Sequence, residues 1–182
     1  GVKHQRTMLR RGARKAAQEI VVNDIGAIHA GPCCLWLQGA GFAIPRALLV
    51  IDMQLGYLAP GNLAIKGSVI ANINRLIDAC HLQAIPVIFV QHDGPHGDEL
   101  EPHSPGWDLL PNLHRSQAAH RIRKTSCDSF YRTGLQPLLH SMGTKSLMIT
   151  GCATDYCVDT TLRIAASLDY QLFAISDAHT TA

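Results

Sequence analysis

Three residues with complementary chemistry each lie in or just after an apolar stretch of the sequence. Asp52 ends the stretch RALLVID, Lys124 lies in RIRKT, and Cys157 lies in GCATDYCVDTT at positions 151–161. A thiol is a strong nucleophile as the thiolate, which a nearby ammonium group and the positive end of a helix dipole both favour. A carboxylate beside them can take the thiol proton and later pass it to a leaving amine. Together the three side chains would form a nucleophilic cysteine site.

Each of these residues on its own also has an ordinary explanation. An aspartate at the end of a strand often caps a helix or forms a turn, and a lysine is usually a solvated surface charge. A cysteine in an apolar helix is usually a small core residue. The case for chemistry therefore depends on whether the fold brings Asp52, Lys124 and Cys157 together.

The elements that must position these residues alternate between strands and helices. Short apolar runs predict strands over residues 46–52, 85–91, 121–125, 145–151 and 171–177. Helical spacing of apolar residues predicts helices over residues 68–83, 128–143 and 154–170, with Ser68, Asp128 and Thr154 as N-caps. Pro137 predicts a kink or a break in the second of these helices.

The apolar runs are continuous rather than alternating, which is typical of parallel strands that are buried on both faces. Such strands, joined by right-handed crossovers through helices, form an open, doubly wound sheet. We therefore predict a Rossmann-like, three-layer α/β/α sandwich with a mostly parallel sheet. Ligands of such sheets bind outside the carboxyl ends of the strands, so Asp52, Lys124 and Cys157 are predicted to converge at that edge.

Composition excludes several classes of protein. The 182 residues, 47% hydrophobic and 16% charged, suit one globular domain with a sizeable core. The net charge of +2 is too small for a dedicated nucleic-acid binder, and no apolar run is as long as a membrane span. The six cysteines are irregularly spaced and no secretory signal is recognisable, so reduced thiols in a cytoplasmic compartment are expected.

Residues 1–44 differ in amino-acid composition from the rest of the chain. The first 18 residues contain six Lys or Arg residues and no acid, a composition found in organelle transit peptides. A disordered or non-native extension is the simpler interpretation and the one we favour. Residues 45–182 then form the globular domain, which we expect to be C-terminally truncated because the chain stops directly after a predicted strand.

Three motifs resemble those of the isochorismatase-like cysteine hydrolases, the superfamily that includes nicotinamidase and N-carbamoylsarcosine amidase. They are ALLVIDMQ at 47–54, KTSCDSF at 124–130 and GCATDYCVDTT at 151–161. The resemblance covers about residues 45–182 and implies that Asp52, Lys124 and Cys157 form the catalytic triad. It also implies the strand order 3-2-1-4-5, a sixth strand that is missing from this chain, and a homodimer or homotetramer.

The same resemblance implies how the rest of the site is built. A cis peptide bond would join Cys152 to Ala153, and the backbone N–H groups of Ala153 and Cys157 would form the oxyanion hole. Tyr57 corresponds to an aromatic pocket residue of the family. The other expected residues of the substrate pocket are Gln54, Trp107 and Thr154.

The segment after the second strand departs from one branch of the family. Nicotinamidases hold a metal with a cluster of the form Asp-x-His and further histidines, whereas QHDGPHGDELEPHSPGW lacks that spacing. His92, His96 and His103 could still be ligands, but solvated or capping histidines are the more common case. We therefore predict no metal and no other cofactor, and nicotinamide is a less favoured substrate.

The type of reaction also follows from the resemblance. Within this superfamily, the true isochorismatases lack the nucleophilic cysteine. The presence of Cys157 therefore favours amide hydrolysis over vinyl-ether cleavage. The leading hypothesis is a hydrolase that cleaves a small amide or related C–N bond through a thioester, with Asp52 as the base and Lys124 stabilising the thiolate. One alternative is an inactive family member that acts as a binding or assembly module. Another is a redox sensor in which Cys152 is the resolving partner of Cys157.

Overall fold

Strands and helices alternate along the chain in the computed structural model, which describes residues 47–58, 67–115 and 119–180. The prediction for residues 1–44 lies outside this range. The elements are β1 (Ala47–Ile51), α1 (Gly67–Leu82), β2 (Val87–His92), β3 (His120–Lys124), α2 (Leu135–Ser141), β4 (Ser146–Cys152), α3 (Asp159–Ser167) and β5 (Gln171–Thr180). None of the helices in the described ranges is long and apolar enough to cross a membrane.

The five strands form one parallel sheet in the order β3-β2-β1-β4-β5. Both the predicted sheet type and the predicted strand order are confirmed. β1 lies at the centre and all five of its residues are buried, which explains its continuous apolar sequence. The chain builds outwards through β2 and β3 on one side of β1 and through β4 and β5 on the other. The switch point, where ligands bind in such sheets, therefore lies at the carboxyl ends of β1 and β4.

Helices cover both faces of the sheet, so the predicted three-layer arrangement is confirmed. On one face, Leu48 and Val50 of β1 pack into a core with α1. On the other face, Leu49 and Ile51 pack into a second core with α2 and α3. The buried face of α1 consists of the residues at helical spacing in the sequence, namely Val69, Ile70, Ile73, Leu76, Ile77 and Cys80.

The predicted helix over residues 128–143 is wrong in its first half, because α2 begins only at Leu135. The preceding segment instead forms turns, in which the side chain of Asp128 accepts a hydrogen bond from Phe130 N and that of Thr133 accepts one from Leu135 N. Because α2 starts late, Pro137 falls in its first turn, where no intrahelical N–H is required. α2 therefore includes Pro137 without losing a hydrogen bond of its own.

Two further capping predictions are wrong. Ser68 lies inside α1, which includes Gly67. Thr154 is not the cap of a regular α-helix, because Thr154–Val158 forms a π-helical turn in which Val158 N donates to Ala153 O. The following α-helix, α3, begins only at Asp159.

Candidate active site

Three segments at the carboxyl edge of the sheet carry the predicted triad. Asp52 directly follows β1 in a left-handed backbone conformation with a φ of 51°, which aspartate tolerates better than most residues. Lys124 is the last residue of β3, and Cys157 lies in the π-helical turn Thr154–Val158 after β4. The structure brings the three side chains together, as predicted.

The ammonium group of Lys124 connects the other two residues. Lys124 Nζ lies 2.7 Å from Asp52 Oδ2 and 3.2 Å from Cys157 Sγ, and it donates to the carbonyl oxygen of Ser126 at 2.9 Å. An ammonium group has three N–H donors, so these three contacts fix its orientation. The side chains of Asp52 and Lys124 are both fully buried, and the ion pair is therefore shielded from solvent.

Burial and mutual attraction together set the protonation states of Asp52 and Lys124. Burial raises the pKa of Asp52, and the charge of Lys124 opposes that shift. For Lys124, burial acts to lower the pKa, but the charge of Asp52 and the interaction with Cys157 outweigh it, and the pKa lies above its ordinary value. Lys124 therefore stays an ammonium group, while a carboxyl group with a raised pKa is suited to exchange protons as a general base.

The thiol of Cys157 feels Lys124 in the direction that the sequence analysis expects. Its pKa is nevertheless raised, first by burial and then by the Asp52 carboxylate, and Lys124 opposes the shift only in part. The ammonium group therefore favours the thiolate without offsetting the loss of solvation. Deprotonation of Cys157 has to be coupled to a base, and Asp52 is the carboxylate beside it.

This charge state predicts a slow reaction of Cys157 with iodoacetamide at neutral pH. We expect the rate of alkylation to rise with pH through an apparent pKa above that of a free thiol, about 8.5, because the thiolate is the reactive form. Peptide mass spectrometry at Cys157 over a series of pH values measures this, with N-acetylcysteine as the reference thiol. A midpoint below that of the reference would contradict the prediction.

The other half of the site is the junction between β4 and the π-helical turn. The peptide bond between Cys152 and Ala153 is cis, as the resemblance implies. Gly151 precedes it with a φ of 120°, and a Cβ atom there would overlap with the backbone oxygen of Ile51. Only glycine therefore lets β4 run this close to the end of β1, and this approach places Ala153 and the turn next to Asp52.

The two cysteines of this junction lie on opposite faces of the sheet. Cys152 is fully buried in the core beneath α1, whereas Cys157 packs in the core with α2 and α3. Both are free thiols. This separation argues against Cys152 as the resolving partner of a redox-active Cys157.

Gln54, which we expected in the substrate pocket, is fully buried and bound to backbone groups. Its carboxamide accepts from His92 N at 2.8 Å and donates to His92 O and to Trp107 O, both at 2.9 Å. Gln91 donates to the same carbonyl of Trp107 at 2.7 Å. The structure thus gives Gln54 a role in holding the end of β2 against the loop that follows, and its contact with a substrate stays a prediction.

Loss of these hydrogen bonds of Gln54 has a predictable effect on stability. Gln54→Leu leaves the partly buried N–H and C=O groups of His92 without this partner, and we expect the free energy of unfolding to fall by about 1–3 kcal/mol. Urea denaturation measures this change. Gln136→Leu, at a partly exposed position in α2, is the control and should change stability by less than about 0.5 kcal/mol; an equal loss in both variants would contradict the role of Gln54.

Trp107 is buried and anchored to β3 by polar contacts. Its indole Nε1 donates to Asp93 Oδ1 at 2.8 Å, and the same carboxylate forms an ion pair with Arg123 at 2.7 Å. The Arg123 guanidinium lies over the indole ring, 5.2 Å from its centroid. Trp107 therefore fixes the loop after β2 beside Lys124, and its predicted contact with a substrate stays a prediction.

Tyr57 and Thr154 lie close to the triad. Burial raises the pKa of Tyr57, and the negative charges of Asp52 and Cys157 raise it further, so the phenol lies within their electrostatic reach. Thr154 begins the π-helical turn, and its Oγ1 atom lies 2.8 Å from His179 Nδ1. Both positions are compatible with the predicted pocket roles.

The three loop histidines do not converge in the structure. His96 pairs with Glu101, His103 contacts the ring of Trp107, and His92 Nδ1 lies 3.3 Å from Lys124 Nζ. Within residues 47–58, 67–115 and 119–180, no group of three or more His, Cys, Asp or Glu side chains is arranged to hold a metal ion.

The sequence did not indicate that two histidines, His92 and His179, lie close to the candidate active site. His92 was considered only as a metal ligand, but it lies opposite Lys124 in the pairing of β2 with β3. Burial and the charge of Lys124 lower the pKa of His92, so a neutral imidazole faces the ammonium group. His179 was not considered, and its contact with Thr154 depends on how β5 pairs with β4.

The fold and the site define an α/β protein that gathers an acid, a lysine and a cysteine at the switch point of a parallel sheet. Comparison with family models agrees: the isochorismatase domain matches residues 46–182, and the chain belongs to the isochorismatase family. This agrees with the resemblance seen in the three sequence motifs.

Individual relatives and structures are similar to this chain over most of the described range. Streptothricin hydrolase of Streptomyces noursei is 31% identical over 75% of this chain and 50% of its own length. Nicotinamidase of Escherichia coli strain K12 is 31% identical over 73% of this chain and 82% of its own length. The crystal structure of an isochorismatase from Pseudomonas putida KT2440 matches with a TM-score of 0.69 at 30% identity, covering 79% of this chain and 77% of that one. The chain spans about half the length of the streptothricin hydrolases that it matches.

Proposed function

We propose that this protein is a cysteine hydrolase that cleaves a small amide or related C–N bond through a thioester intermediate. The observation that carries this proposal is the position of Lys124 Nζ, buried between Asp52 Oδ2 at 2.7 Å and Cys157 Sγ at 3.2 Å. Burying a lysine between a carboxylate and a thiol has a large desolvation cost, so such a group is not explained by a contribution to stability. Acyl transfer, in contrast, requires a nucleophile, a base and a group that stabilises charge.

In the first half of the reaction, Asp52 takes the proton of the Cys157 thiol as the substrate binds. The thiolate attacks the carbonyl carbon, a C–S bond forms, and the oxygen becomes an oxyanion. We place this oxyanion at the backbone N–H groups of Ala153 and Cys157, each worth about 3 kcal/mol in such a site. The C–N bond then breaks, and the departing amine takes its proton from Asp52.

In the second half, water hydrolyses the thioester. The Asp52 carboxylate takes a proton from the water, and the resulting hydroxide attacks the acyl carbon. Collapse of the second oxyanion breaks the C–S bond, the proton returns to the sulfur, and the carboxylic acid leaves. Lys124 stays charged throughout and stabilises the thiolate each time it forms. Every proton is carried by Asp52, so the cycle requires no other group.

Two relatives support an amide as the substrate class. The chain is similar to proteins named streptothricin hydrolase and nicotinamidase, and the nucleophilic thiol suits attack on a carbonyl carbon. We further propose that Tyr57, Trp107 and Thr154 surround the bound amide, and that the active protein is a homodimer or homotetramer.

The experiment that tests the proposal measures ammonia or amine release from a panel of small amides. The panel should include primary carboxamides, N-carbamoyl compounds and cyclic amides. Samples quenched in acid during turnover are analysed by mass spectrometry, and we expect the acyl group of the amide on the peptide that contains Cys157. Protein alkylated beforehand at Cys157 is the matched control.

Two results would count against the proposal. If an amide protects Cys157 from alkylation but is never hydrolysed, the protein is a binding module rather than a hydrolase. If an amide is hydrolysed equally well by alkylated and unalkylated protein, Cys157 is not the nucleophile.

A further inference from the structure

His179 lies outside the proposed triad but contacts the turn that carries Cys157. Its Nδ1 atom lies 2.8 Å from Thr154 Oγ1, and Thr154 is the first residue of the π-helical turn Thr154–Val158. The two hydrogen-bonded residues are 25 positions apart in sequence. The contact therefore ties the turn to β5, a strand to which it is not directly connected.

An irregularity in the pairing of β4 with β5 brings His179 to this place. Ile149 of β4 lies opposite Ala174 of β5, but Gly151, two residues further along β4, already lies opposite His179. The pairing register between the two strands therefore shifts at this point. Irregular pairing is common beside active sites, where it re-aims a side chain, and this shift sets His179 next to the point at which β4 leads into the turn.

The charge state of His179 suits a fixed hydrogen bond. Burial lowers the pKa of His179, and the carboxylate of Asp177 opposes the shift only in part. The neutral imidazole has one N–H donor and one lone pair. Nδ1 can thus accept from the hydroxyl of Thr154 or donate to it, and either arrangement holds the hydroxyl in the same place.

The far end of the turn has an independent anchor. The helix α3, which continues the turn, is tied to the loop after β3 by the hydrogen bond of 2.9 Å between the hydroxyls of Ser129 and Thr161. The contact between Thr154 and His179 holds the near end. Between these two anchors lie the backbone N–H and the Sγ atom of Cys157, which is 3.2 Å from Lys124 Nζ.

We propose that His179 is a positioning residue for the reaction of Cys157: through Thr154 it fixes the turn that presents the nucleophile to Lys124 and to the carbonyl carbon. This inference rests on the hydrolase function proposed above. It assigns to the register shift between β4 and β5 a purpose in the chemistry, because regular pairing continued from Ala174 would place Ser176, and not His179, opposite Gly151.

The test compares substitutions that keep or remove the hydrogen-bonding atom. Asparagine places a polar atom near the position of Nδ1 and glutamine near that of Nε2, so His179→Asn keeps the contact with Thr154 and His179→Gln removes it without leaving a large cavity. We expect His179→Gln and Thr154→Val each to lower kcat about tenfold, with KM changed less than about twofold in His179→Gln, because His179 does not contact the substrate. His179→Asn should stay within about threefold of the unchanged protein.

A double variant separates this role from general damage. Since the two residues act through one contact, Thr154→Val combined with His179→Gln should be no slower than either single variant. The rate of alkylation of Cys157 by iodoacetamide is measured on the same variants and should follow the same pattern. Independent, multiplying losses in the double variant, or an equal loss in His179→Asn and His179→Gln, would overturn the proposal.

Failure of this inference can be told apart from failure of the proposed function. Alkylation of Cys157 requires no amide turnover, so the comparison of the four variants gives an answer even if no amide in the panel is hydrolysed. If amides are hydrolysed but His179→Gln is as fast as the unchanged protein, the function stands and the role of His179 is refuted.

Discussion

Replacing Cys157 with alanine is expected to abolish hydrolysis of every amide that the protein accepts. In the proposed mechanism the sulfur forms the only covalent bond to the substrate, and no other nucleophile takes its place. We expect kcat to fall by about 10⁵-fold, as in other enzymes that lose their covalent nucleophile. Ammonia release under saturating substrate measures the loss.

A second buried cysteine provides the matched control. Cys80 is as deeply buried as Cys157, but it lies on α1 in the core on the opposite face of the sheet. Burial alone raises the pKa of its thiol, to about 12, and neither Asp52 nor Lys124 acts on it, so it has no base to deprotonate it. Cys80→Ala should therefore keep full activity. Equal activity of Cys157→Ala and Cys80→Ala would end the assignment of the nucleophile.

The convergence of the triad could be predicted because it depends on strand polarity. Asp52, Lys124 and Cys157 each follow or end a strand, and parallel strands place all such positions at one edge of the sheet. The strand order, which decides how close they come, came from the resemblance to the family. The helix over residues 128–143 was half wrong because Asp128 and Thr133 bind neighbouring backbone N–H groups and so favour turns.

What the sequence could not show depends on register and burial. His92 faces Lys124 only because the two are paired across β2 and β3, and His179 reaches Thr154 only through a register shift between β4 and β5. Neither feature leaves a periodic signal in the sequence. Likewise, the raised pKa of Cys157 follows from burial around the site, which cannot be judged before the surrounding loops are in place.

The second large effect concerns Lys124, whose replacement should damage both stability and activity. Lys124→Met keeps the unbranched side chain, one atom shorter, but leaves Asp52 as an uncompensated buried charge. Breaking a buried ion pair in this way typically costs about 3–5 kcal/mol, which urea denaturation measures. We also expect kcat to fall by about 10³-fold, because the thiolate loses the ammonium group that lies 3.2 Å from the sulfur.

A double variant distinguishes the structural role of Lys124 from its chemical role. Lys124→Met combined with Asp52→Asn removes both charges, so most of the lost stability should return. Activity should stay absent, because both the base and the charge stabiliser are gone. If activity returned together with stability, the ion pair would serve the fold alone and the proposed roles of both residues would be wrong.

The pH dependence of stability provides an independent check on the same pair. In Lys124→Met, nothing opposes the burial that raises the pKa of Asp52. A group with a raised pKa in the folded state contributes stability that is fully present below its unfolded pKa, about 3.9 for aspartate, and that is lost as the pH rises through the folded pKa. The single variant should therefore lose stability from acid towards neutral pH, whereas the variant with Asp52→Asn as well should lack this component. If the two variants had parallel stability profiles, Asp52 would not be the charge that Lys124 compensates.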